Sequence, residues 1–236
     1  LGNNLGTLDL DENLQGAAAG VPGLLDRQAG TVHALGNLPW RDKPIAHDIG
    51  GLIGGRPVII ENDSRLAGLS EAQLIKDTYR DRVLFATIST GIGGALIHDG
   101  RIVTALQDME MGKMPLEHDG RIVAWEDFAG GRGVVARFGK KASEITDPSE
   151  WRAVGEQIAY GLGAVCSVLQ PEVIILGGGV GAYADHFSAV ILEYLQMHLA
   201  ADVRQPKAVL AAQRSDDAVI YGCYELLRQG HGSADR

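Results

Sequence analysis

Residues 83–94 read VLFATISTGIGG, six residues of strand character running into a polar, glycine-rich turn, Ser89-Thr90-Gly91-Ile92-Gly93-Gly94. Two other stretches repeat the pattern. Residues 57–60 (PVII) run into Glu61-Asn62-Asp63, and residues 171–176 (PEVIIL) run into Gly177-Gly178-Gly179-Val180-Gly181. In open α/β folds ligands bind beyond the carboxyl ends of strands. Glycine there lets backbone N–H groups approach phosphate oxygens closely. Any one of these clusters reads as an ordinary turn. Three in order, one ending in a carboxylate, read as a nucleotide site.

The rest of the chain fits that class. Residues 15–25 read as a short buried strand entering a Pro-Gly turn, and residues 66–75 favour a helix. Asp99-Gly100 between apolar runs predicts a hairpin, because both central residues of a type I′ turn need positive φ. The string HDGRIV at 98–103 recurs at 118–123, which predicts a second hairpin or turn. Trp151, Val154, Ile158, Leu162, Val165 and Leu169 keep helical spacing, as do Phe187, Val190, Ile191, Tyr194, Leu195 and Leu199. A last helix is predicted over 217–229. Strands alternating with helices make an α/β protein.

Composition narrows the function. With 30 acidic and 21 basic residues the 236-residue chain carries a formal net charge of -9, which argues against a nucleic-acid or anionic-membrane partner. No apolar run reaches the length of a membrane span, and the first twenty residues lack the features of a signal peptide. The two cysteines, Cys166 and Cys223, are far apart and form no CxxC pair, so neither a disulfide framework nor a cysteine zinc site is expected, and a cytoplasmic location fits. Gly177, Gly179 and Ala182 satisfy a dinucleotide fingerprint but lie too late in the chain to open the first βαβ unit. No Walker loop, G-x-S-x-G elbow or HExxH motif is present.

The ordered motifs resemble the ROK family of bacterial sugar kinases and regulators over residues 17–227. Gly20-Val21-Pro22-Gly23 with Asp26 looks like the family's early PG turn, and Asn37-Leu38-Pro39-Trp40 looks like its sugar-proximal segment. Glu61-Asn62-Asp63 is similar to the stretch carrying the catalytic Asp. Residues 89–94 are similar to the second phosphate loop, and Gly177-Gly178-Gly179-Val180 to the segment beside adenosine. The resemblance implies a ribonuclease H-like, actin-like ATPase α/β fold with two lobes. The small lobe would span residues 1–80 with the last helix (217–236), the large lobe 81–216, and the cleft between them would hold sugar and nucleotide.

It also implies phosphoryl transfer from ATP, with Mg²⁺, to a hexose hydroxyl. Asp63 would be the general base. Asn37, Asn62, Glu110, Lys113 and Glu126 would contact the sugar. Thr90, Gly91, Gly93 and Gly94 would cradle phosphates, and Gly177, Gly178, Gly179 and Val180 would line the adenosine pocket. A cytoplasmic homodimer is implied by analogy.

Three departures matter. Lys113 stands where the family has a sugar-binding His. Ala124-Trp125-Glu126-Asp127 replaces the family's cysteine-rich zinc motif, so no structural zinc is expected and Glu126 is left to supply the sugar carboxylate. Asn4-Leu5-Gly6-Thr7 only faintly imitates the family's opening D-x-G-G-T loop, and the chain starts with Leu, so an incomplete N-terminal lobe and poor turnover are expected of the sequence as it stands. Two other classes stay open: a ROK-type transcription regulator, which would need a helix-turn-helix, and a catalytically degenerate sugar-binding protein.

Overall fold

The computed structural model describes residues 13–35 and 39–231, and a strand leads into each of the three expected turns. Asn37 lies outside the described residues. The chain divides into two units, residues up to 67 with those from 219 onward, and residues 68–218. The first unit ends inside a helix, earlier in the chain than the boundary expected near Arg80.

In the first unit, β1 (Ala17–Gly20) precedes a three-stranded antiparallel sheet of β2 (Leu24–Asp26), β3 (Thr31–Ala34) and β4 (Arg41–Lys43). Then come α1 (Ile45–Leu52), β5 (Val58–Glu61) and α2 (Asp63–Ile75), whose residues from Gly68 belong to the second unit. β5 pairs in parallel with β1, setting Gly20 opposite Glu61. The Pro22-Gly23 turn after β1 is tight. Gly23 has φ 93, and a side-chain carbon there would collide with the Ala34 carbonyl, so only glycine fits. The core is Val21, Leu25, Val32, Ile45 and Ile60.

The second unit is built on a five-stranded sheet. β6 (Val83–Ile88) is followed by β7 (Ile92–His98) and β8 (Arg101–Ile102). A separate hairpin, β9 (Pro115–His118) and β10 (Arg121–Ala124), leads into α3 (Trp125–Ala129) and α4 (Gly131–Phe138). Then follow α5 (Pro148–Leu169), β11 (Val173–Gly177), the single turn α6 (Gly178–Gly181), α7 (Ser188–His198) and β12 (Val209–Ala211). The last helix, α8 (Ala218–His231), belongs from Val219 onward to the first unit. There Gly222 lets it approach α2 closely, because a side-chain carbon would collide with the Leu66 carbonyl.

Strand order is β12-β11-β6-β7-β8, parallel through the first three and antiparallel beyond. β6 and β11 are almost wholly apolar and buried, as central strands covered on both faces must be. One face packs Leu84, Ala86 and Ile88 in the same core as Ile158, Leu162 and Phe187. On the other, Gly68 of α2 touches Phe85 and Ala95. Glu71 of α2 is buried and accepts the backbone N–H groups of Gln213 (2.9 Å) and Arg214 (2.7 Å), which fixes the segment after β12.

Candidate functional site

Glu126 is positioned by its neighbour. Trp125 is fully buried, Gly161 of α5 leaves room for its indole, and its Nε1 donates to the Gln157 carbonyl at 3.3 Å. With α3 anchored there, the Glu126 carboxylate meets the turn before β7. Its Oε2 accepts the Ile92 N–H at 3.1 Å, and its Oε1 accepts from the Lys113 ammonium and, at 3.5 Å, from Arg132 Nη2. Side-chain carbons on Gly91 or Gly112 would collide with the Glu126 carboxylate or the Ile92 carbonyl. Burial pushes the Glu126 carboxyl up. The Lys113 hydrogen bond, the Ile92 N–H and the charges of Lys113 and Arg132 outweigh it, so the group sits below the usual carboxylate value. Lys113 is correspondingly raised, mainly by the hydrogen bond to Glu126, with the Glu110 charge contributing in the same direction. Glu110, Lys113 and Glu126 therefore form one cluster.

Beside it lies a cavity of about 560 Å³. Hydroxyls come from Ser89, Thr90 and Ser143, cations from Arg132 and Lys141, and apolar wall from Val135, Ala142 and Val180, with Gly131 and Gly179 between. No carboxylate lines it, in a chain where acidic residues outnumber basic ones. Thr90, Gly179 and Val180 were expected at the nucleotide. The other expected glycines are not on this lining. Gly93 and Gly94 lie within β7, paired with Thr87 and Ala86. Gly91 makes room for Glu126. Gly177 ends β11 against the Phe85 ring. Gly178, at φ 82, passes under the Ile88 carbonyl.

The start of α4 and the Lys141–Ser143 segment were missed. The one local signal was the Gly130-Gly131 pair after Glu126, where Gly131 N donates to the Ser89 carbonyl at 2.6 Å and draws α4 against the turn.

In the first unit, β5 delivers Glu61, Asn62 and Asp63 to the start of α2. Asn62 is buried and caps the helix. Its Oδ1 accepts from Ser64 N and from Arg65 Nη1, both at 3.0 Å, and its carbonyl accepts from Arg65 and Leu66. Asp63 is half-buried, and its Oδ1 accepts from Ser64 N at 2.8 Å.

The sequence pattern of the ROK family is matched over residues 8–230. A "Putative fructokinase" of Bacillus subtilis (strain 168) is 32% identical over 176 residues, 68% of this chain and 57% of that relative. This chain thus matches little more than half of that relative's length. A ROK family glucokinase from Streptomyces griseus, solved in complex with glucose and AMPPNP, superposes with a TM-score of 0.68 at 25% identity, covering 89% of this chain and 80% of that one. An inorganic polyphosphate/ATP-glucomannokinase from Arthrobacter sp. strain KM gives 0.65 at 26% identity, covering 96% and 81%.

Proposed function

The chain belongs to the ROK family and has its ribonuclease H-like, actin-like fold, and from that premise we propose that it transfers the γ-phosphoryl group of ATP to a hydroxyl of a hexose. The observation that carries the reading is Arg132. Its guanidinium donates to Glu126 and also lines the cation-bearing cavity. A carboxylate suited to sugar hydroxyls thus adjoins a pocket suited to an anion with an apolar end, and the complex of the Streptomyces griseus relative with glucose and AMPPNP supports the pairing.

Phosphoryl transfer asks the protein mainly for positioning and charge stabilisation. Asp63 would accept the proton of the attacking hydroxyl. Asn37, Asn62, Glu110, Lys113 and Glu126 would hold the sugar; Oδ1 of Asn62 is committed to the cap, so its amide N–H groups are the ones to offer. Thr90, Arg132 and Lys141 would meet phosphate, and Val135, Ala142, Gly179 and Val180 the nucleoside. Among the described residues no group of three His, Cys, Asp or Glu could hold a metal, so Mg²⁺ would arrive on the phosphates, which it favours. We expect a cytoplasmic homodimer; no described helix is long and apolar enough to cross a membrane.

Coupled ADP release by the full-length protein with glucose, mannose, N-acetylglucosamine and fructose tests the reading, with polyphosphate as the competing donor. Absence of ADP release with every sugar would sink it. One feature favours the degenerate sugar binder instead: Lys113 occupies part of the Glu126 carboxylate. That reading gains if calorimetry detects sugar binding while turnover is absent.

A further inference from the structure

Glu61 is the last residue of β5 and nearly inaccessible, at 5% exposure. Arg27, in the turn after β2, grips it with two prongs: Nε lies 2.8 Å from Oε2 and Nη2 2.6 Å from Oε1. The same Oε1 accepts the N–H of Asn62 at 2.6 Å, and the Glu61 carbonyl accepts the Val21 N–H at 2.9 Å. The carboxylate that Arg27 orients therefore holds the peptide from which Asn62 and Asp63 depart. A solvated surface pair would do nothing of the kind. This one is mostly buried on both sides, with side-chain exposures of 17% and 7%, and its forked geometry fixes orientation as well as charge.

We propose that Arg27 is a positioning residue for phosphoryl transfer, acting through Glu61 on the placement of Asp63. The inference rests on Asp63 being the general base. No role had attached to Arg27 in the sequence, where it is one charge in a polar turn. Its effect belongs in kcat, because misplacing a base by a fraction of an ångström costs rate without removing any contact to the nucleotide.

The experiment compares Arg27→Ala, Arg27→Lys and Asp63→Asn, singly and combined, in the full-length protein. Arg27→Ala is expected to lower kcat by about tenfold to a hundredfold with KM for the nucleotide unchanged. Arg27→Lys keeps the charge without the fork and is expected to recover only part. In an Asp63→Asn background, adding Arg27→Ala is expected to cost nothing more, since the group it positions is gone. An equal loss in both backgrounds shows a general effect on the fold and overturns the inference, as does an Arg27→Ala kcat within about twofold of the parent. If Arg27→Ala does not fold, Arg27→Lys carries the same comparison, and parental kcat there overturns the inference. Collapse of Asp63→Asn beside unaffected Arg27 variants removes Arg27 alone. Near-full turnover by Asp63→Asn removes the base and Arg27 with it.

Discussion

The Lys113 ammonium, largely in solvent, donates to the carboxylate of Glu126, which is 8% exposed. The asymmetry says which partner depends on the other. Removing the lysine leaves a buried anion with the Ile92 N–H and a longer contact to Arg132, whereas removing the glutamate frees a lysine that water already reaches.

Lys113→Met should therefore destabilise the protein at neutral pH by about 1 kcal/mol, the lower end for an unpaired buried group because one end of the pair is solvated. The Glu126 carboxyl is lowered from 4.5 in the folded protein, so its contribution is present above the unfolded value and is lost as pH falls through the folded one. The gap in Tm between parent and variant should be full at neutral pH and close progressively below 4.5. Calorimetry from about pH 3 to about pH 8 checks it. A gap constant over that range would show that Lys113 acts by packing alone.

Asn62 and Asp63 should separate by their readouts. Asn62→Ala removes the helix cap and should cost about 1 kcal/mol or more. Asp63→Asn keeps shape and hydrogen bonding, so Tm should hold while kcat falls roughly 10²–10⁴-fold, the loss of a general base. Thermal melts with steady-state kinetics on both variants decide it.

Neighbouring glycines should also behave differently. Gly178→Ala puts a side chain at φ 82 and 2.6 Å from the Ile88 carbonyl, so it should cost more than about 1 kcal/mol. Gly179 has open space where a side-chain carbon would go. Gly179→Ala should leave Tm unchanged and raise KM for the nucleotide, because the new methyl enters the cavity lining. Equal effects of the two substitutions on Tm would refute the placement of Gly179.

Dialysis of the purified protein against a strong chelator should leave its melting temperature unchanged. The resemblance sets Ala124-Trp125-Glu126-Asp127, which holds no cysteine, in place of the family's zinc motif, and the β9–β10 hairpin leading into it is held by its own pairing, Arg121 with His118 through Ala124 with Pro115. One zinc per chain by elemental analysis would overturn this.

The elements with strong local signals were legible. β6, β7, β11, α5 and α7 announced themselves by apolar runs or helical spacing, and the structure moves their ends by a few residues at most. β2, β3, β4 and β12 did not, because strands of three or four residues carry too little period, and all three residues of β4 are charged. The site divided likewise. Glu126, Lys113 and Glu110 lie near one another in sequence as in space. The cavity is lined also by Arg132, Lys141 and Ser143, which follow the Gly131 N–H bond to the Ser89 carbonyl and carried no motif of their own. Gly93 and Gly94, read from the sequence as part of a turn, lie in β7, where Gly94 packs against Met111 and the Phe85 carbonyl.

The two copies of HDGRIV close the same turn in different settings. Asp99 and Gly100 have φ 47 and 73, Asp119 and Gly120 have 51 and 74, and in each the His pairs with the Arg across the turn. One joins β7 to β8 in the five-stranded sheet, and the other stands in a separate hairpin. Turns specified within so few residues can close on the timescale of hairpin formation, about 1–10 μs. The parallel partnership of Val83 with Val173 must instead wait for a long loop to close. Folding should thus begin from both hairpins and finish with β11. Gly120→Ala, which meets nothing within 4 Å in the native protein, should slow refolding more than it speeds unfolding.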